Sequence, residues 1–137
     1  MTCGNILLVD DDPGFLTALT KTLVKHDYTV TDANSAAAAL AAIQNQKQAF
    51  DVVITDLSMP MISGMAVLNA VKAAFPAVQV IVITAFGDQL TKTNALRDGA
   101  FAFIHKPLDS VGFLGLVERA VTAGQQQNRP NETCEQS

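Results

Sequence analysis

Four short apolar runs recur along the chain: Ile6-Leu7-Leu8-Val9, Val52-Val53-Ile54, Val78 to Ile83, and Phe101 to Ile104. Each is rich in β-branched, leucine or aromatic residues and closes on a polar or turn residue. Apolarity that is continuous rather than alternating is the pattern of a strand covered on both faces, as in a parallel sheet. A weaker strand is predicted at Thr29 to Thr31. Between the runs the period becomes helical. Asp12 before Pro13 is an N-cap with proline at the first helical position. Phe15, Leu16, Leu19, Leu23 and Val24 then follow at helical spacing up to His26, which is well placed for the helix dipole. Asn34 or Ser35 caps the alanine-rich stretch Ala36 to Gln46, alanine being the strongest helix former. Met65, Leu68, Val71 and Lys72 lie in a third helix that stops before Pro76. A fourth helix begins at Asp88 or Thr91 and ends at Gly99, read as its C′ glycine. A fifth begins at Asp109 or Ser110 and reaches about Ala123. Gly112 and Gly115 weaken that last helix by about 1 kcal/mol each.

Five βα units in about 123 residues imply right-handed crossovers and an α/β fold, a parallel sheet with helices on both faces. Residues 1–123 then form one domain. Residues 124–137, GQQQNRPNETCEQS, contain no large aliphatic or aromatic residue. They read as a disordered polar tail or the stub of a linker.

Composition narrows the function classes. Of 137 residues, 49% are hydrophobic and 16% charged, too apolar for a disordered chain. No apolar run approaches the roughly 20 residues of a membrane span, and the N-terminus lacks the layout of a signal peptide. Cys3 and Cys134 form neither a metal-like spacing nor a disulfide framework. A cytoplasmic location is expected, and the Asn131-Glu132-Thr133 sequon is read as chance. The net charge of −4 gives no pull toward nucleic acid or an anionic membrane, so neither is expected as a direct partner. The acids comprise ten Asp and three Glu. Because Asp favours caps, turns and ion sites over helices, the acidity points to a site rather than a solvated coat.

In an open α/β sheet, ligands bind beyond the carboxyl ends of the strands. After Val9 come Asp10, Asp11 and Asp12; after Ile54 come Thr55 and Asp56; after Ile83 comes Thr84; after Ile104 come His105 and Lys106. If the strands are parallel, all project from one edge. Carboxylates with no His or Cys partner make an all-oxygen site, suited to Mg²⁺. A phosphoryl group in transfer has three peripheral oxygens to neutralise: Mg²⁺ can take one, Lys106 another and Thr84 the third. One Asp is then left to act as nucleophile and form an acyl phosphate. Asp12 is better read as the N-cap, His105 as a structural side chain beside the rim, and Met59, Met61 and Met65 as packing.

With these pieces the chain resembles the receiver domain of two-component response regulators, a CheY-like, flavodoxin-like fold with strand order 2-1-3-4-5. The resemblance covers residues 4 to about 123. It is carried by ILLVDDD at 6–12, DVVITDLSMPMISG at 51–64, VIVITA at 80–85 and HKP at 105–107. The stretch ITAFGD at 83–88 also resembles receivers of enhancer-binding transcription regulators. The resemblance implies that Asp56 is the phosphoacceptor and that Asp10, Asp11 and Asp56 hold Mg²⁺, Asp11 more directly than Asp10. It adds the backbone carbonyl of Ser58 as a metal ligand. Thr84 becomes the switch hydroxyl, Phe103 the switch aromatic and Lys106 the site lysine, with a cis Lys106-Pro107 bond. A partner histidine kinase or phosphotransfer protein would donate the phosphoryl group. Thr84 would move toward it, Phe103 would turn inward, and the face of the fourth helix, fifth strand and fifth helix would change its affinity for an output domain or a second copy. Phe86, two positions past Thr84, would shield the acyl phosphate from water.

The implied protein is a switch that supports only its own phosphotransfer and dephosphorylation, not an enzyme with a diffusible substrate. Two alternatives stand beside it. A degenerate receiver would act as a binding module without phosphorylation. An Asp-nucleophile phosphohydrolase would want a second Asp two residues past the nucleophile, where this chain has Ser58. Apart from Asp10, Asp11, Asp12 and Asp56 the chain is formally neutral, with nine acids against nine bases. The negative charge therefore equals that of the expected site, and cation affinity there should weaken as pH falls through the carboxylate range.

Overall fold

The computed structural model describes residues 4–45, 50–56, 64–75, 77–84, 89–105 and 110–128. The order of elements is β1 (Gly4–Val9), α1 (Pro13–Lys25), β2 (Tyr28–Ala33), α2 (Ala36–Asn45), β3 (Val52–Asp56), α3 (Gly64–Ala74), β4 (Gln79–Thr84), α4 (Gln89–Arg97), β5 (Ala102–His105) and α5 (Ser110–Asn128). The strands form one parallel sheet in the order β2-β1-β3-β4-β5. One row of paired residues, Asp32, Leu8, Ile54, Ile81 and Ala102, runs across all five strands.

Strand alternation sorts the apolar runs onto two faces. Leu7, Val9, Val53, Val80 and Val82 pack with Ala39 and Ile43 of α2, Val67, Leu68 and Val71 of α3, and Ala95 of α4. Ile6, Leu8, Val52, Ile54, Ile81 and Ile83 pack with Leu16, Leu19 and Leu23 of α1 and with Phe113, Val117, Ala120 and Val121 of α5. The doubly wound fold expected from the continuous runs is therefore present. At the far, N-terminal edge of the sheet, α5 closes tightly on β1. A Cβ added at Gly4 would lie 2.8 Å from a Val121 methyl, so Gly4 is required by close approach.

The helix ends follow their sequence signals. The Asp12 carboxylate accepts the N–H groups of Gly14 (3.0 Å) and Phe15 (3.4 Å), as an N-cap does. Ser35 rather than Asn34 has its hydroxyl on the start of α2, accepting from Ala38 N–H at 3.1 Å. Gly99 has φ +109°; its N–H donates to Leu96 and that of Ala100 to Ala95, which is a Schellman close to α4. The Lys72 side chain passes beside Gly99 and donates to the carbonyl of Val78 at 2.9 Å, tying α3 to the entry of β4. Burial lowers the pKa of this ammonium from its ordinary value.

Several boundaries differ from expectation. β2 runs from Tyr28 to Ala33, longer than Thr29 to Thr31, because its whole length pairs with β1. α4 ends at Arg97, two residues before its C′ glycine, and Asp88 lies outside the described residues. α5 continues to Asn128, five residues into the segment read as a tail. Gln is a good helix former, and the packed turn through Val121 supplies a nucleus from which the helix propagates. Residues 129–137 lie outside the described residues.

Tyr28 is buried where β2 begins, and burial first and Glu118 of α5 second raise its pKa above the ordinary value near 10. A raised folded-state pKa means stability that is present below pH 10 and lost as pH rises through the folded value. Denaturation midpoints between pH 8 and 11 should therefore fall more steeply in the wild type than in Tyr28→Phe. Equal slopes would show that Tyr28 ionises alike in folded and unfolded chains. Lys72 acts in the opposite sense, its lowered pKa favouring the folded state as pH approaches its unfolded value, and it is common to both proteins.

Candidate functional site

Parallel pairing places the carboxyl ends of β1, β3, β4 and β5 along one edge, and the polar residues that close the apolar runs gather there. Asp10 follows β1 and is fully buried; its N–H donates to the carbonyl of Ala33 at 3.1 Å. Its carboxylate accepts the N–H of Asp12 at 2.9 Å, which fixes the turn from β1 into α1. Asp11 lies in that turn and is exposed. Asp56 ends β3 and is buried. Carboxylate oxygens of Asp10, Asp11 and Asp56 all lie within 4.8 Å of one another, although the three come from two strands 46 positions apart. Asp12, spent on the helix cap, is not among them.

Three like charges at this separation repel unless a cation or protons intervene. The donors are all hard oxygens, two buried and one open to solvent. That set fits Mg²⁺, which takes few protein carboxylates and keeps several waters.

Thr84 ends β4 and is fully buried. Asp56 pairs with Ile83, so Thr84 stands one residue further along the edge than Asp56. Asp56 keeps step with Val52 and Ile54, which face α1 and α5, whereas Thr84 keeps step with Val80 and Val82, which face α2, α3 and α4. The edge therefore joins the two helical layers at the site. Phe103 pairs with Val82 and packs, half-buried, against the α2–α3–α4 side. Ser58, Phe86, Lys106 and Pro107 lie outside the described residues, as do Met59 and Met61.

Sequence reasoning gave His105 no part in the site. Its ring lies 5.4 Å from that of Phe103, edge-to-face at 73°. The signal was available: two ring-bearing residues at i and i+2 on a strand share a face.

Among the described residues, no helix is long and apolar enough to cross a membrane. The family profile of the response regulator receiver domain matches residues 6–118. The DNA-binding transcriptional regulator NtrC of Proteus hauseri is 32% identical over 131 residues, covering 96% of this chain and 27% of its own. The crystal structure of a response regulator receiver domain protein from Clostridium thermocellum superposes with a TM-score of 0.85 at 29% identity, covering 90% of this chain and 98% of that one. A CheX-CheY-BeF3-Mg²⁺ complex from Borrelia burgdorferi gives a TM-score of 0.79 at 29% identity, covering 85% and 87%. The chain spans about a quarter of the length of the curated relatives it matches. The expectation that nucleic acid is not a direct partner is not supported, since the longer relative NtrC is named as DNA-binding. The matched profile spans most of the described fold, and the chain belongs to the response regulator receiver domain family of two-component signalling proteins.

Proposed function

We propose that the chain is a phosphorylation-dependent switch that accepts a phosphoryl group on Asp56 in a Mg²⁺-dependent reaction. The observation that carries this reading is the convergence of Asp10, Asp11 and Asp56 within 4.8 Å in a receiver-family chain. The donor is a phosphohistidine of a kinase or phosphotransfer protein. A carboxylate oxygen of Asp56 forms the new O–P bond as the N–P bond breaks, and the histidine nitrogen regains a proton. Asp10, Asp11, Asp56 and the Ser58 carbonyl are the residues that would hold Mg²⁺. Bound there, Mg²⁺ supplies positive charge to the oxygens of the transferring group. Lys106 offers an ammonium and Thr84 a hydroxyl to the other oxygens.

The switching step follows from the edge position. Thr84 moves toward the phosphoryl group, and Phe103 turns into the space it leaves. The face formed by α4, β5 and α5 then changes its affinity for an output domain or a second copy. A local charge event thereby biases a two-state element. With an output domain like that of the NtrC relative, the output would be DNA control, and as a stand-alone receiver it would be the binding of a partner; the compartment is the cytoplasm, where kinases supply the donor.

The test is incubation with Mg²⁺ and acetyl phosphate, read by intact mass. One phosphoryl group labile to hydroxylamine is expected. No adduct on folded protein would favour a binding module without phosphorylation, and turnover of free phosphate esters would favour a hydrolase. In the same assay format, Asp11→Ala should weaken Mg²⁺ affinity by about tenfold or more, since ligand charge sets affinity at such sites. An unchanged Mg²⁺ titration would remove Asp11 from the ligand set.

A further inference from the structure

His105 and Phe103 occupy alternate positions of β5, so both side chains stand on the sheet face covered by α2, α3 and α4. In register, Phe103 lies beside Val82 and His105 beside Thr84. Thr84 is fully buried, Phe103 half-buried and His105 exposed. β5 is an edge strand, with β4 as its one neighbour in the sheet among the described residues. The switching step proposed above turns the phenyl ring from this half-exposed setting inward over Thr84. The imidazole meets the phenyl ring edge-to-face at 5.4 Å while the phenyl is still half-exposed.

We propose that His105 is a positioning residue for Phe103: its ring holds the phenyl in the half-exposed setting and so sets how often the switch occupies its inward arrangement. This rests on the phosphorylation reading above and adds the element that balances it. If the contact is made only while Phe103 is half-exposed, removing it favours the inward state. An edge-to-face ring pair biases such an equilibrium by about two- to tenfold. Because the phosphorylated protein favours the inward state, a chain that visits it more often also accepts the group faster.

The experiment uses the full chain with ring-labelled phenylalanine and NMR, the Phe103 signal being identified by its loss in Phe103→Leu. Wild type and variants are observed alone and with Mg²⁺ and acetyl phosphate, and adduct formation is followed by mass. In His105→Ala without phosphodonor, the Phe103 signal should move toward its phosphorylated position. The initial rate of adduct formation should rise by about two- to tenfold. His105→Phe keeps a ring at the position and should return both readouts to the wild-type values. A general loss of packing would not be rescued in this way. A Phe103 signal unmoved in His105→Ala, with phosphorylation proceeding, would overturn the proposal. So would a His105→Phe protein that behaves like the alanine variant. If the wild type forms no adduct, the phosphorylation reading fails and the role with it. The His105-dependent shift in the untreated protein would then show that the failure lies in the chemistry and not in the ring contact.

Discussion

Asp56→Asn is expected to take up no phosphoryl group from acetyl phosphate and, in EDTA, to melt at a higher temperature than the wild type. The first effect follows from the proposed role of Asp56 as nucleophile, since an amide oxygen lacks the negative charge of a carboxylate. The second follows from the site's electrostatics. Two unit charges 4.8 Å apart, the widest separation in the cluster, repel by about 3.5 kcal/mol at an effective dielectric constant near 20. Asp10 and Asp56 are buried, so water screens them poorly. Asn keeps the shape and removes one charge. Part of the gain is offset because the polar partners of Asp56 lose a charged acceptor, leaving a net stabilisation of about 1–2 kcal/mol. Mg²⁺ should raise the melting temperature of the wild type by mass action and that of the variant much less. A variant that melts below the wild type in EDTA would show that attraction at Asp56 outweighs the repulsion.

Ile81→Ala should destabilise the fold by about 4 kcal/mol, a large part of the roughly 5–15 kcal/mol of a typical domain. Ile81 is fully buried in the middle of β4, paired with Ile54 on one side and Ala102 on the other. Its side chain belongs to the layer under α1 and α5. A rigid sheet cannot collapse into the space the substitution leaves, so the cavity term adds to the lost transfer term. Chemical denaturation should show a lower midpoint with a similar slope. A loss below about 1 kcal/mol would mean that α5 settles into the gap.

The runs of β1, β3 and β4 were legible in the sequence because those strands are buried on both faces, with Gln79 the one polar residue inside the three runs, whereas half-buried β5 was legible from its Phe and Ile residues alone. β2 was only partly legible. It is an edge strand with a mixed burial pattern, and its length is set by pairing with β1 rather than by its own composition. The end of α5 was missed because a glutamine run carries no hydrophobic period, although its helix propensity is high. At the site, Asp10, Asp11 and Asp56 could be named from their positions after apolar runs, since parallel pairing must bring such positions to one edge. His105 was passed over because an exposed histidine on an edge strand has no composition signal. Its meaning comes from the ring two residues away and the hydroxyl beside it.

α5 packs along the sheet as far as Val121, which sits against Gly4 at the first residue of β1. The seven residues from Thr122 to Asn128 continue as helix past that anchor, an overhang of about 10 Å at 1.5 Å per residue. Were α5 to pivot where Val121 meets Gly4, its two ends would swing in opposite directions. A tilt of α5 that is small where Phe113 meets the sheet is reversed in direction at Asn128, on the side of the molecule away from the carboxylates. Displacement at the acidic edge would thus be delivered as an opposite swing at the far end, without any change in the sheet between them.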